Sequence, residues 1–383
     1  MRSKIGPWLA AVVATLVLFE IGTCALVETG RVAAPRPSDR RHAYWRGDHP
    51  EFGVWHAPDL SYQHHTRCYD VEYRTNSVGA RDAERTLRSQ RPRVVVLGDS
   101  YLEGWGVSES ERLSNLLEEQ TGIEHLNFAM SHFGPYQEYL VYRSLASRFD
   151  HDAVLVGVLP ANDFLDIDFE EARKQRYYRF RYRPYLVGDP SDLRHVYHRE
   201  PRWRRWLRHW SYAGSAVITA VEGRARKRAA AEVERTGERA WFYDFGDRQA
   251  RLLEAVLERL AAEAASKRVA VVLIPTLTDL RSHARFGPDP LSVRLRAAGE
   301  RSGYRVVDLL PSMAETTQRW PRYFLGCDYH WSAFGNAIAA NLLREALGPE
   351  FYGEEDPGED PPRPGGAGPG GRAAPPPGRT PER

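Results

Sequence analysis

Charge of one sign and cysteine are the scarce features of this sequence. Its 53 lysines and arginines stand against 51 acidic residues, a formal net charge of +2, and there are only three cysteines in 383 residues. So small a net charge gives no reason to expect a nucleic-acid partner. With 42% hydrophobic residues, the bulk of the chain should be globular around a proper core, as one large domain or two ordinary ones.

Motifs for nucleotides and metals are also missing. Gly98, Gly104 and Gly106 lack the Gly-x-Gly-x-x-Gly spacing of a dinucleotide-binding loop, and no Lys-Ser/Thr pair follows to make a phosphate loop. No second cluster of histidines and carboxylates offers ligands for a metal ion. We therefore expect neither a cofactor nor a metal.

One long hydrophobic run is present, from Leu9 to Val27. A bilayer core of about 30 Å needs roughly 20 helical residues, and Arg2 and Lys4 ahead of the run favour a cytoplasmic N-terminus by the positive-inside rule. Residues 1–28 are therefore predicted to form a single-pass membrane anchor, with the rest of the chain extracytoplasmic (periplasmic or external). A cleaved signal peptide is the main alternative.

Glu20 and Cys24 are unusual residues within this anchor. A carboxylate at the bilayer centre costs a few kcal/mol, so Glu20 should lie towards the outer interface, be protonated, or pair with a neighbour. Cys24 gives only a poor lipobox, which makes a lipoprotein the third alternative. An oxidising compartment would permit Cys68 and Cys327 to pair, and two buried free thiols are the other possibility.

After a lead-in at 29–72, short β-branched runs alternate with amphipathic helices. Strands are predicted at 93–98, 124–130, 153–159, 268–274 and 305–309, and helices at 111–120, 136–147, 248–267, 291–303 and 333–347. This alternation predicts an α/β fold with a doubly wound parallel sheet. In such sheets ligands bind outside the carboxyl ends of the strands.

An insertion at 165–243 interrupts the alternation. Residues 173–208 carry twelve Lys or Arg against three Asp or Glu, interleaved with tyrosines and tryptophans. The helical spacing of Trp203, Trp206 and Trp210 favours packing, which predicts a lid with its apolar face on the catalytic domain and its arginines solvated. A surface for anionic polysaccharide or lipid head groups is the alternative, and nucleic acid is disfavoured by the predicted compartment.

Polar residues with catalytic chemistry follow several predicted strands. Ser100 comes directly after the first strand, but a serine hydroxyl alone is a weak nucleophile and needs a base. His330 can supply it, because Asp328 two residues earlier can accept the Nδ1 hydrogen and leave Nε2 for the serine proton. Asn162 ends another strand, where its amide could donate to an oxyanion. Taken singly, such a histidine is usually structural and such an asparagine a cap or turn residue.

Together these residues resemble the SGNH (GDSL) hydrolase family, whose blocks follow the order Ser, Gly, Asn, then Asp and His. Gly98-Asp-Ser100 matches the first block, Asn162-Asp163 the third, and Asp328-Tyr-His330 the fourth, as Asp-x-His rather than the commoner Asp-x-x-His. Residues 76–81 are similar to the lead-in of many bacterial, often envelope-associated, members. The resemblance covers residues 73–347 and implies a flavodoxin-like sheet in a catalytic domain over 73–350, followed by a Pro/Gly-rich tail, 351–383, that should be disordered.

The second block departs from the family pattern. It begins at Asn127, but the glycine expected about five residues later is replaced by His132, and the next glycine is Gly134. Because the family's oxyanion donor here is a backbone N–H, we predict Gly134 as the donor and keep His132 as its rival. The predicted oxyanion hole therefore consists of Ser100, Asn162 and Gly134.

The resemblance implies ester chemistry in two displacements. Ser100 attacks an ester carbonyl, while His330, oriented by Asp328, accepts and later returns the proton. Water as the second nucleophile makes an esterase, and a sugar hydroxyl makes an O-acyltransferase, with cell-envelope polysaccharide as a candidate substrate. The alternative from a different class is a non-catalytic polysaccharide-binding or scaffold protein on a hydrolase-like fold, with the basic insertion as its contact surface.

Overall fold

The computed structural model describes residues 5–41, 44–189, 192–316 and 319–353. Its strands are β1 Trp45–His49, β2 Gly53–His56, β3 Ser61–His65, β4 Asp70–Arg74, β5 Arg93–Leu97, β6 Glu124–Asn127, β7 Ala153–Val158, β8 Pro184–Val187, β9 Arg194–Tyr197, β10 Arg268–Leu273 and β11 Tyr304–Asp308. Its helices are α1 Ile5–Glu28, α2 Pro37–Arg41, α3 Ser100–Glu103, α4 Leu113–Thr121, α5 Pro135–Ser144, α6 Pro160–Ile167, α7 Phe169–Lys174, α8 Arg202–Trp210, α9 Tyr212–Thr236, α10 Asp247–Ala264, α11 Leu277–Phe286, α12 Pro290–Ser302, α13 Leu309–Thr316 and α14 Ala333–Tyr352.

The centre of the fold is a five-stranded, wholly parallel sheet in the order β11-β10-β7-β5-β6. Counted along the chain, this is the 2-1-3-4-5 order of flavodoxin-like sheets. Strands β5 and β7 are buried along their whole length, because one layer of helices (α5, α6, α10, α12) covers one face and another (α4, α11, α13, α14) covers the other. The predicted fold class is therefore confirmed.

The segment predicted as an irregular lead-in contains two antiparallel hairpins, β1–β2 and β3–β4. Trp55 is buried in the main core, and Cys68 forms a disulfide with Cys327 across a sequence separation of 259 residues. The β3–β4 hairpin is thus fastened beside the loop that precedes α14. At the other end, α14 continues to Tyr352, inside the predicted tail, and residues 354–383 lie outside the described ranges.

Helix α1 is the one helix in the described ranges that is long and apolar enough to cross a membrane, judged by length and composition. Its Glu20 carboxylate accepts hydrogen bonds from Ser211 Oγ at 2.7 Å and from the backbone N–H groups of Tyr212 at 2.5 Å and Ala213 at 3.1 Å. Of the three situations expected for Glu20, the structure shows pairing with a neighbour. The carboxylate meets the start of α9, where backbone N–H groups have no partner inside the helix.

The insertion has two parts. Helix α7 and strand β8 pack on α5 and α6 beside the central sheet, whereas α8 and α9 pack on each other and on α2 and α1. The prediction that the three tryptophans of α8 pack inward is wrong: Trp203, Trp206 and Trp210 are 65%, 59% and 63% exposed. The arginines of the opposite side are turned inward instead, because acidic partners meet them there.

Candidate active site

The nucleophile candidate stands on a tight turn between a buried strand and a short helix. Strand β5 ends at Leu97, and α3 begins at Ser100 with Asp99 as its N-cap, whose carboxylate accepts the Tyr101 N–H at 2.9 Å. A Cβ on Gly98 would lie 2.9 Å from the Leu102 side chain, so only glycine fits this exit without a shift. The turn leaves the Ser100 side chain at the carboxyl end of the sheet, partly open to solvent.

Ser100, His330 and Asp328 form one hydrogen-bonded chain. His330 Nε2 lies 2.7 Å from Ser100 Oγ, and His330 Nδ1 lies 2.6 Å from Asp328 Oδ1. With Nδ1–H donated to the carboxylate, Nε2 is left as the acceptor for the serine hydroxyl. This is the geometry of a nucleophile, a general base and a residue that orients the base.

A tryptophan that sequence analysis missed completes the support of this chain. Trp105 Nε1 donates to Asp328 Oδ2 at 2.9 Å, and its ring stacks on the His330 ring with centroids 5.2 Å apart. Partial burial raises the pKa of Asp328, but hydrogen bonds from His330, Trp105 and the Tyr329 N–H outweigh it and lower that pKa to about 2. Asp328 is therefore ionised whenever His330 is needed as a base.

The loop that carries Asp328 and His330 is held from several sides. The Leu325 N–H donates to the His330 carbonyl at 2.9 Å, and Tyr101 on α3 donates its hydroxyl to the Tyr329 carbonyl. The neighbouring Trp331 is buried in the core. Together with the disulfide at Cys327, these contacts fix His330 relative to Ser100.

Asn162 lies next to the nucleophile turn, at the start of α6. Its Nδ2 donates to Asp99 Oδ2 at 3.0 Å, which leaves the second amide hydrogen available. Its neighbour Asp163 is buried, and burial with the nearby Glu138 carboxyl raises the pKa of Asp163 well above its usual range. Asp163 Oδ2 accepts the Leu159 N–H at 2.7 Å, so this residue closes the first turn of α6 and does not face the reactants.

The two candidate oxyanion donors of the second block differ in backbone conformation. His132 has a φ of +73°, in the left-handed region that favours glycine, whereas Gly134 is extended at φ −130°. A Cβ on Gly134 would lie 2.6 Å from the Asp166 Cβ, so packing rather than backbone conformation requires glycine there. His132 therefore occupies the glycine-like conformation of this loop, although it carries a side chain.

Buried polar groups hold this second-block loop against α3. The Met130 N–H donates to the Gly98 carbonyl at 3.0 Å, and the Ser131 N–H donates to the Glu103 carboxylate. Glu103 also accepts from His56 Nε2 at 3.0 Å. Burial raises the pKa of Glu103, but the contacts with His56 and Ser131 outweigh it and lower the pKa to about 2.

Some residues of the site could be predicted from the sequence and others could not. Ser100, Asn162, Asp328 and His330 stand in short motifs, and the structure brings all four together. Trp105 and Glu103 act through contacts made across long stretches of sequence, and no spacing marks them. Among the described ranges there is no group of three or more His, Cys, Asp or Glu side chains that could hold a metal ion.

Comparison with known proteins finds similar solved structures at low sequence identity. No protein-family model and no curated protein sequence matches the chain. Similar solved structures include a lipase/acylhydrolase from Enterococcus faecalis (14% identity, 67% of this chain and 95% of that one, TM-score 0.35). Others are a GDSL-like lipase from Bacteroides thetaiotaomicron (12%, 69% and 91%, TM-score 0.37) and phospholipase A1 from Streptomyces albidoflavus (14%, 67% and 99%, TM-score 0.37). At TM-scores below 0.5 these likenesses carry no functional argument. The function is inferred instead from the site of this chain.

Proposed function

We propose that this protein is a serine ester hydrolase of the SGNH/GDSL type, with Ser100 as nucleophile, His330 as general base and Asp328 as the residue that orients the base. The observation that carries the proposal is the unbroken chain from Ser100 Oγ to His330 Nε2, 2.7 Å, and from His330 Nδ1 to Asp328, 2.6 Å. A serine on a glycine-flanked turn at the end of a buried strand is where a substrate in the sheet crevice can meet it.

The reaction proceeds in two displacements. In the first, Ser100 Oγ bonds to the ester carbonyl carbon as its proton passes to His330 Nε2, and the tetrahedral intermediate then expels the alcohol, which takes that proton. In the second, the hydroxyl of water or another acceptor attacks the acyl carbon and loses its proton to His330; the bond between that carbon and Ser100 Oγ then breaks, and His330 returns the proton to Oγ. Asp328 stays ionised throughout and stabilises the imidazolium.

The intermediate's oxyanion needs hydrogen-bond donors near Ser100. The Ser100 N–H and the second amide hydrogen of Asn162 are two of them, and the third is a backbone N–H of the second block. We assign it to His132 in preference to Gly134, since His132 has the glycine-like φ of +73°. Each such donor contributes about 3 kcal/mol to the transition state in serine hydrolases.

Location and substrate class follow from the anchor. Helix α1 would hold the catalytic domain at the membrane surface, and Arg2 and Lys4 favour an extracytoplasmic domain. The disulfide between Cys68 and Cys327 supports that side, because such bonds persist in oxidising compartments. We therefore infer an acyl ester of the cell envelope as substrate, with envelope polysaccharide as the leading candidate and a sugar hydroxyl as an alternative acceptor to water.

The test is fluorophosphonate labelling of the full-length protein in detergent micelles. Native protein should be labelled at Ser100, Ser100→Ala should not, and His330→Ala should react at a rate lower by several orders of magnitude. Ser110→Ala, at an exposed serine of a neighbouring loop, is the matched control and should react like native protein. Folded native protein that resists the label would reject the proposal and favour the non-catalytic binding protein.

A further inference from the structure

Helix α8 turns Arg204 and Arg208 inward and its three tryptophans outward. Trp203 and Trp206 are 65% and 59% exposed, and Trp210 on the same side is 63% exposed. At about 100° per residue, the three indoles lie within about 60° of the helix circumference. On a water-soluble domain an amphipathic helix has the opposite orientation, with its apolar stripe facing the core. We call Trp203, Trp206 and Trp210 the tryptophan face.

Ion pairs fix this orientation. Arg204 binds Glu200 at 3.0 Å and Glu222 of α9 at 2.7 Å, and Arg208 binds the same two carboxylates at 3.0 and 2.5 Å. All four side chains are largely shielded from solvent. Rotating α8 to bury its tryptophans would break this four-membered network and leave charges buried without partners, so the outward orientation is built into the fold.

The tryptophan face lies beside the anchor. Trp210 ends α8, and the next three residues, Ser211, Tyr212 and Ala213, all donate hydrogen bonds to Glu20 of α1. The end of α8 is therefore level with Glu20 along the anchor.

The length of the exposed part of α1 before Glu20 places the level of Glu20, and with it the end of α8, inside or at the edge of the bilayer. Residues 6–19 of α1 are exposed on all sides, and at 1.5 Å per residue they span about 21 Å. A hydrocarbon core of about 30 Å exceeds this by about 9 Å. If α1 crosses the membrane, lipid must therefore extend past Glu20 to the level at which α8 and α9 begin to pack on the anchor.

The order of residues along α9 matches the same boundary. Its first half exposes Val217 and Val221, and Arg224, Arg226, Lys227 and Arg228 follow, all of them exposed. The apolar side chains of the first half would meet the acyl chains, and the basic cluster that follows would meet the phosphate groups.

We propose that the tryptophan face docks into the interface of the extracytoplasmic leaflet of the bilayer that α1 crosses. Its occupant is phospholipid: the indoles lie at the level where acyl chains meet head groups, a position that tryptophan favours, and the basic cluster of α9 meets the phosphates. The catalytic domain would then be held by two membrane contacts instead of swinging on α1 alone. This inference rests on α1 being inserted and is independent of the proposed ester chemistry.

The test uses the full-length protein in vesicles of phosphatidylcholine and phosphatidylglycerol, with and without bromine atoms on the acyl chains near the head groups. Trp203→Phe/Trp206→Phe removes two indoles and keeps the face apolar, so subtracting its emission from native emission isolates those two. We expect bromolipid to quench most of this difference signal. Equal thermal unfolding of the two proteins in the same vesicles verifies that the variant folds.

Trp8→Phe provides the matched control, since Trp8 lies on the exposed surface of α1 and its difference signal reports insertion of the anchor. If the Trp8 signal is quenched by bromolipid and the Trp203/Trp206 signal is not, the face lies in water or against protein and the proposal is overturned. If neither signal is quenched, α1 is not inserted and the proposal also fails, whereas fluorophosphonate labelling tests the ester chemistry separately.

Discussion

The indole nitrogen of Trp105 donates a hydrogen bond to the second carboxylate oxygen of Asp328, at 2.9 Å. Asp328 thus has one oxygen on His330 and the other on Trp105, which fixes the plane of the carboxylate. A base oriented from one side alone could rotate away from Ser100. In the proposed mechanism Trp105 is a positioning residue that acts through Asp328.

Replacing Trp105 by phenylalanine tests this role. Trp105→Phe keeps an aromatic ring against His330 and removes the donor, so we expect kcat to fall by about tenfold, or roughly 1.4 kcal/mol, with KM little changed. Asp328→Asn should cost far more, about 10³- to 10⁴-fold, because it disturbs the tautomer of His330. Steady-state hydrolysis of a chromogenic ester measures both.

Trp55→Phe is the control for this experiment, because Trp55 also donates its indole N–H but to a backbone carbonyl, that of Val78. Its loss should affect stability and leave kcat near the native value. Equal kcat for native protein and Trp105→Phe would show that the contact with Asp328 has no catalytic role.

Two substitutions in the second block should have opposite effects on stability. His132→Gly relieves a left-handed backbone conformation and keeps the backbone N–H, so we expect fluorophosphonate reactivity to persist and stability to rise by up to about 1 kcal/mol. Gly134→Ala forces a Cβ against Asp166 and should destabilise by about 1–3 kcal/mol. Urea unfolding in micelles would measure both changes. A His132→Gly protein that is folded and unreactive would show that the imidazole itself is needed.

Glu103 should make the protein sensitive to acid. Its folded-state pKa of about 2 lies below its ordinary value of 4.5, so its contribution to stability is complete above about pH 4.5 and is lost as pH falls towards 2. The free energy of unfolding should drop in that window by about 2 kcal/mol more for native protein than for Glu103→Gln. Chemical unfolding at a series of pH values measures the two slopes, with the exposed Glu119→Gln as control. Parallel slopes for native protein and Glu103→Gln would contradict the prediction.

Glu20 should stabilise the first turn of α9. Glu20→Ala removes the acceptor for Ser211, Tyr212 and Ala213, and loss of such a cap costs about 1–2 kcal/mol. Hydrogen exchange of the amides at 212–216 should speed up, with little change in the sheet. Glu28→Ala removes only the contact with the Tyr212 hydroxyl and the exposed pair with Arg36 and should leave those amides protected. Similar exchange in both variants would show that Glu20 is not the cap.

The sheet and the residues of the proposed triad could be predicted because both depend on local sequence. Runs such as 94–97 are apolar and rich in valine because both faces of their strands are buried, and the motifs around Ser100 and His330 sit directly at strand or helix ends. Parts of the boundaries differ: the strand predicted at 124–130 ends at Asn127, whose side chain accepts the Ala129 N–H and turns the chain. Local patterning does not encode where such a turn begins.

The orientation of α8 could not be predicted because periodicity shows that tryptophans share a face but not which way the face points. That direction is decided by Glu200 and Glu222, the second of which lies on another helix. The choice between His132 and Gly134 likewise depends on a backbone angle, and the role of Trp105 on a residue 223 positions away. For α8 and Trp105 a contact between distant parts of the chain decides the outcome, and for His132 a local backbone angle does.

The disulfide between Cys68 and Cys327 couples the loop that carries Asp328 and His330 to redox conditions, since Cys327 directly precedes Asp328. A newly made copy still in a reducing cytoplasm would carry its base on a loop without this tie. For the proposed esterase in its proposed extracytoplasmic location, oxidation after export would act as a maturation step. The protein would then resemble a zymogen whose activating event is the oxidation of two thiols and not proteolysis.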